Sequence, residues 1–187
     1  MHSQEADAFT IFVGKSHCEP KPHRINGIAP SGYGLLVSGV ELSAQHWGYG
    51  GERNIEVMLA HGLLRGAHIA FLECDTPIIN VITPKPGTKK YLTEFVPKWL
   101  KEGAKGKPGF TKDNLETWRQ LYDLSGLGKL LIRMPESDDE WAFSESVQSV
   151  AKAAANQALK EYMSDPSRFA QAGVLVTDED AAAPKIN

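Results

Sequence analysis

The sequence has few cysteines, no long apolar run and little net charge. Its two cysteines, Cys18 and Cys74, are too few for a disulfide scaffold. No apolar run approaches the roughly 18 residues that a membrane-spanning helix needs, and no secretory signal opens the chain. A net charge of -3 argues against a protein that binds polyanions over its whole surface. We therefore expect a soluble intracellular protein that has no membrane contact.

Length and composition indicate one folded domain with tails. The chain has 187 residues, of which 42% are hydrophobic, and this is enough for one good core. We predict an N-terminal arm over residues 1–8 and a folded domain over residues 9–163. Beyond Pro166 the sequence becomes polar, small and acidic, so residues 164–187 are predicted to form a mobile tail.

The spacing of apolar residues predicts an α/β fold. Strand patterns occur at residues 8–13, 32–39, 40–47, 68–75 and 129–134. Helical patterns occur at residues 55–66, 110–124 and 144–162, with shorter helical pieces between prolines at 77–97. A strand, helix, strand crossover normally places its two strands in one sheet. We therefore expect helices packed on a sheet.

Two acids stand at the ends of predicted elements. Glu56 opens the helix at 55–66, and Asp75 ends the apolar strand at 68–75. Each has an ordinary structural explanation. A carboxylate in the first turn of a helix is favoured by the helix dipole, and an Asp before Thr76-Pro77 can cap the next helix.

Several segments together resemble type 1 ribonuclease H. The similar segments are Phe9 to Ser16, Gly32-Tyr33-Gly34, the Glu56 helix, Lys98-Trp99-Leu100-Lys101-Glu102-Gly103, Lys107-Pro108, Asp113 to Leu121 and Val150 to Ala154. The resemblance covers roughly residues 9 to 160. It implies a ribonuclease H-like α/β domain with a five-stranded mixed sheet, in which three antiparallel strands are followed by two parallel additions.

In that family four acids hold two Mg²⁺ ions that cleave the RNA strand of an RNA/DNA hybrid. The resemblance carries over Glu56 and Asp75 as metal and catalytic residues, whereas Gly14 and Gln148 stand where the other two acids belong. Glu73 and Glu145 are possible helpers, and an inward-facing Lys15 could replace the metal with a salt bridge. The loop after the fifth strand, at 133–140, has no histidine. We expect no cofactor, or Mg²⁺ or Mn²⁺ if activity survives.

A local basic patch is the main candidate for nucleic-acid binding. The resemblance implies contacts to a nucleic-acid backbone from Arg53, Asn54, Lys98, Trp99, Lys101, Lys105, Lys107 and Lys112. A solvated lysine face explains the same pattern equally well, and the acidic stretch at 136–140 would repel a backbone nearby.

Three hypotheses follow from these residues. The first is a pseudoenzyme that binds RNA or an RNA/DNA hybrid. The second is a weakly active metal-dependent hybrid ribonuclease, and the third is a protein-interaction or structural subunit without nucleic acid. Fold alone does not separate them.

Overall fold

The computed structural model describes residues 8–18, 27–39, 42–102 and 112–179. The strands are β1 (Ala8–His17), β2 (Ala29–Ser38), β3 (Ser43–Glu52), β4 (Ile78–Ile82), β5 (Leu130–Arg133) and β6 (Gly173–Thr177). The helices are α1 (Ile55–Glu73), α2 (Gly87–Lys90), α3 (Val96–Glu102), α4 (Lys112–Gly126) and α5 (Asp138–Ser164). A π-helical segment (Tyr91–Phe95) joins α2 to α3, and a 3-10 helix (Pro166–Phe169) follows α5.

The strands form one mixed sheet in the order β5-β4-β1-β2-β3-β6. Strands β1, β2 and β3 are antiparallel neighbours, while β4 runs parallel to β1 and β5 parallel to β4. The predicted α/β class and the arrangement of the first five strands are therefore confirmed. The sheet differs from the prediction by a sixth strand, β6, which pairs antiparallel with β3.

Strand β6 lies inside the segment predicted to be a mobile tail. Phe169 and Val176 are buried against Trp47 and Tyr49 of β3. These two apolar side chains bind the segment to the sheet edge. The prediction of a mobile tail is wrong for residues 166–179, and residues 180–187 lie outside the described residues.

Helices cover both faces of the sheet. Helix α1 packs on one face of β1 and β2 and is backed by α4, whereas α5 crosses the other face over β1, β2 and β3. Helix α1 comes very close to the strands at Gly66, where a Cβ atom would stand 2.7 Å from Ile11 Cδ1. A side chain at this position would displace the Ile11 side chain or separate the helix from the sheet.

The strand predicted at residues 68–75 is wrong, because α1 continues to Glu73. The sequence signal used to end the helix was Gly66, yet this glycine permits close packing inside the helix. Beyond it Ala67, Ile69 and Ala70 are buried on the face that continues the apolar stripe of α1. Length and composition would allow α1 to cross a membrane, but 56% of its apolar window is buried inside the protein, as in a core helix.

Two further boundaries differ from prediction. The strand predicted at residues 40–47 extends to Glu52 as β3, where a Cβ on Gly48 would stand 2.5 Å from the ring of Tyr33. Helix α5 begins at Asp138, before the predicted start at residue 144, because Ser137 caps it and three acids occupy its favourable first turn. Of the N-terminal arm predicted at 1–8, Ala8 begins β1, whereas residues 1–7 lie outside the described residues, as do loop residues 19–26.

Candidate functional site

The structure brings Gly14 and Gln148 into contact. A Cβ atom on Gly14 would stand 2.8 Å from three backbone atoms of α5: Gln148 N, Gln148 Cα and Val147 O. The Gln148 side chain donates a hydrogen bond from its Nε2 to the Lys15 carbonyl oxygen at 2.7 Å. Helix α5 therefore sits against the backbone of β1 at the position where the resemblance expects the first acid.

Lys15 and Glu56 form an ion pair beside this contact. Asn54 caps α1 by accepting a hydrogen bond from Glu56 N at 3.0 Å, which fixes the first turn that carries the carboxylate. The Lys15 side chain is 9% exposed and the Glu56 side chain 23% exposed. A largely buried ammonium therefore neutralises the Glu56 carboxylate. Burial lowers the pKa of the Lys15 ammonium below its ordinary value, and the bond to Glu56 opposes part of that change.

Asp75 does not join Glu56. It lies in a bend before β4, not at the end of a strand, because the predicted strand is helical. Ile78, the first residue of β4, pairs with Ala8, and Gly14 lies six residues further along β1, which is about 20 Å away at the rise of a strand. Asp75 is therefore at the opposite end of the parallel strands from Gly14.

The proposed helpers do not complete the site either. Glu73 is the last residue of the 19-residue helix α1, so roughly 25 Å separates it from Glu56 at the other end. Glu145 is exposed, one turn before Gln148 on α5.

The strand end that lies next to Gly14 is that of β4, and it carries no acid. Ile82 pairs with Phe12, and the following residues are Thr83, Pro84 and Lys85. Thr83 is buried, and its Oγ1 accepts a hydrogen bond from Lys85 N at 3.3 Å. Sequence reasoning missed this end because the helix-to-strand boundary was placed about ten residues too early.

These residues do not fit a pair of Mg²⁺ ions. Mg²⁺ requires several oxygen ligands in near-octahedral geometry, usually carboxylates together with substrate phosphate. Glu56 faces a lysine, Gly14 has no side chain, and Gln148 is hydrogen-bonded to the backbone of β1. Within the described ranges no group of three or more His, Cys, Asp or Glu residues could hold a metal ion.

The basic patch is only partly as predicted. Lys98 and Lys101 are exposed on α3, as a backbone-binding role requires. Trp99 is buried at 6% exposure, and its ring stacks on Phe95 at 5.9 Å. Trp99 therefore belongs to the core and offers no stacking surface. Lys105 and Lys107 lie outside the described residues, as does the side chain of Lys112.

Arg53 and Asn54 precede α1 at the same end of the sheet. Arg53 is exposed there. The Asn54 side chain accepts the Glu56 N–H at 3.0 Å and so has a capping role in α1.

Three exposed lysines were missed at the sequence level. Lys85, Lys89 and Lys90 lie between β4 and the π-helical segment and extend the basic patch toward Lys15. Lys90 lies 3.7 Å from Glu94 and 5.7 Å from the centre of the Phe95 ring. The run Lys85-Pro-Gly-Thr-Lys-Lys was the available signal, since it follows a strand directly.

The acidic stretch at 136–140 is tied back to β5. The Arg133 guanidinium donates two hydrogen bonds to the Glu140 carboxylate, at 2.8 and 2.5 Å. Arg133 and the backbone N–H of Glu136 lower the pKa of Glu140 to about 2. Sequence reasoning placed these acids in a free loop, whereas they form a fixed turn into α5.

A second polar pair lies under α1. Glu52, the last residue of β3, is fully buried, and His61 Nε2 lies 3.5 Å from its Oε1. Neither Glu52 oxygen has a hydrogen-bond partner among the described residues. A buried carboxylate without hydrogen bonds is costly to the fold.

Comparison with protein-family models gives no match, and comparison with curated protein sequences gives none. Several solved structures share the fold. LC9-RNase H1, a type 1 RNase H with the type 2 active-site motif, aligns with a TM-score of 0.57 at 17% identity, over 91% of this chain and 89% of that one. The PFV RNase H domain aligns with a TM-score of 0.52 at 12% identity, over 82% of this chain and 94% of that one.

The foamy viral protease-reverse transcriptase in complex with an RNA/DNA hybrid aligns with a TM-score of 0.57 at 14% identity. The alignment covers 81% of this chain and 20% of that protein. At such identities the likeness establishes the fold and nothing finer. The protein has a ribonuclease H-like fold.

Proposed function

We propose that the protein is a nucleic-acid-binding module for RNA or an RNA/DNA hybrid that has lost two-metal cleavage. The observation that carries the proposal is the row of exposed lysines after β4: Lys85, Lys89, Lys90, Lys98 and Lys101. The same segment, residues 85–102, holds only two acids, Glu94 and Glu102. In a protein with a net charge of -3, this segment is a local basic surface of the kind that phosphate backbones require.

The loss of cleavage is inferred from the residues around Glu56. A lysine neutralises this acid, and the neighbouring positions Gly14, Pro84 and Gln148 offer no carboxylate. A ribonuclease H-like protein that binds an RNA/DNA hybrid is known among the structural neighbours, which supports the same class of ligand for this chain.

The test is the binding of a labelled RNA/DNA hybrid by fluorescence anisotropy over a series of salt concentrations. Each lysine that contacts a phosphate should contribute about 0.9 to the slope of log K against log salt. A Lys98→Gln, Lys101→Gln double variant should lower both affinity and slope. Lys160→Gln, an exposed lysine on α5, is the matched control and should bind as the wild type does.

Cleavage is measured in parallel with Mg²⁺ and with Mn²⁺. If the hybrid stays intact with either metal ion, the result supports the proposal. Metal-dependent cutting by the wild type would establish the second hypothesis, a weak ribonuclease, and would overturn the loss of catalysis.

A protein-interaction role is the second candidate function. Four of the exposed large hydrophobic residues fall within residues 131–143, namely Leu131, Met134, Trp141 and Phe143. They lie among acids that disfavour a phosphate backbone. Absence of binding to hybrid and to single-stranded RNA at low salt would favour this role.

A further inference from the structure

Two lysines lie near each other where β1 passes the carboxyl end of β4. The parallel register pairs Phe12 with Ile82, where β4 ends, and Lys85 follows three residues later, after a bend at Pro84. Neighbouring strands lie about 4.8 Å apart, so this segment leaves the sheet next to β1, and the charge of Lys85 acts on the Lys15 ammonium. Lys15 points toward α1 and Glu56, whereas Lys85 is exposed at the rim.

We propose that Lys15 and Lys85 bind one phosphodiester of the polynucleotide, and that the Glu56 carboxylate is the internal anion that this phosphate replaces. The inference rests on the proposed nucleic-acid binding and deepens it, because it names a contact at the place between Lys15, Glu56 and Lys85, which we call the cleft. In a two-metal enzyme, bound cations attract the phosphate at such a place. In this protein the positive charges would be the ammonium groups of Lys15 and Lys85.

The surroundings of the two lysines favour an anion. Lys85 adds to the burial of Lys15 in lowering the pKa of the Lys15 ammonium, because two positive charges repel each other. An anion placed between them removes this repulsion. Glu56 supplies one negative charge from the α1 side, and its 23% exposure leaves the carboxylate able to turn toward solvent when a phosphate arrives.

Lys85 also links this contact to the lysine row. It precedes Lys89 and Lys90 by one turn of chain, so a backbone lying along α2 and α3 would reach the cleft at Lys85. The lysine row and the cleft then form one continuous track. Lys15, whose side chain is 9% exposed, lies at the inner end of this track.

The decisive experiment is hybrid binding by Glu56→Gln and by Lys85→Gln, measured with EDTA over a series of salt concentrations. In Glu56→Gln the phosphate no longer competes with the carboxylate, and Lys15 has a bound counterion that the phosphate releases. Affinity should therefore rise, by about eightfold at about 0.1 M salt for one more released counterion, and the slope should steepen by about 0.9. Lys85→Gln should lower affinity by a similar factor. Its side chain is exposed, so this variant is expected to fold normally.

The outcomes separate this inference from the proposed function. If both variants bind as the wild type does while Lys98→Gln, Lys101→Gln loses affinity, the cleft contact is wrong and nucleic-acid binding stands. If Glu56→Gln binds more weakly, the acid aids binding and the inference is overturned. If the wild type binds no polynucleotide at low salt, both fail.

Discussion

Replacing Gly14 by alanine should destabilise the protein although it adds a single methyl group. The new Cβ would stand 2.8 Å from Gln148 N, Gln148 Cα and Val147 O, closer than real Cβ contacts allow. All three atoms belong to the backbone of α5, so no side chain can rotate away. Relief requires α5 or β1 to move, and overpacking of this kind costs about 1–3 kcal/mol.

The assay is urea unfolding followed by circular dichroism. We expect the midpoint to fall by an amount that corresponds to about 1–3 kcal/mol, with an unchanged slope, since the variant has the same unfolded surface. Gly87→Ala is the matched control, because no atom lies within 4 Å of its Cβ position at the start of α2. It should leave stability unchanged or raise it by up to about 1 kcal/mol.

A loss of less than about 0.5 kcal/mol at Gly14 would refute the close seating of α5. The same contact governs attempts to rebuild an active site. In a Gly14→Asp, Gln148→Asp double variant, the new carboxylate at residue 14 meets the α5 backbone before it can reach a metal. We therefore expect no hybrid cleavage from that variant with Mg²⁺ or Mn²⁺.

Three further predictions concern buried and paired charges. A Glu52→Met, His61→Leu double variant replaces a pair, whose buried carboxylate makes no hydrogen bond among the described residues, by apolar side chains of similar size, and should stabilise the fold by about 1–4 kcal/mol in thermal unfolding; a lower melting temperature would contradict this. Burial raises the pKa of Tyr33 and Tyr49, the latter with help from Glu161, above the ordinary 10.0. Their stabilising effect is complete below pH 10 and is lost as pH rises through their folded pKa, so ultraviolet titration should show phenols that ionise only on unfolding. The Glu140 carboxyl should titrate near pH 2 by NMR, and its stabilising effect, complete above its ordinary 4.5, should fade as pH falls toward 2; a midpoint above 4 would exclude the Arg133 pair.

The arrangement of β1 to β5 was implied by the resemblance to type 1 ribonuclease H, and periodic signals in the sequence indicated the approximate places of β1, β2, β3 and β5. The candidate site was harder to predict, since its geometry depends on where α1 ends and β4 begins. A short apolar run such as 68–75 fits a buried strand and a buried helix equally well. A glycine such as Gly66 is typical of a helix end, although here it permits close contact between α1 and Ile11. The true strand at residues 78–82 was consequently overlooked, and with it Lys85.

Other features have no local signal. The pairing of Lys15 with Glu56 could be anticipated as an option, because strand alternation allows a lysine after Gly14 to face α1. The seating of α5 on glycine could not be anticipated, since it depends on two segments far apart in sequence. Strand β6 was missed because its five residues lie in a segment of mostly small, polar and acidic residues, and because its partner β3 is far away in sequence.

The Lys15 and Glu56 pair also changes how the protein depends on its medium. A carboxylate neutralised by a free ion is neutral only in proportion to the concentration of that ion and its affinity. A carboxylate neutralised by a side chain of its own chain has a counter-charge whose effective concentration is set by covalent connection. Neither dilution nor a chelator can remove it, so the charge balance at this end of the sheet is the same at every magnesium level.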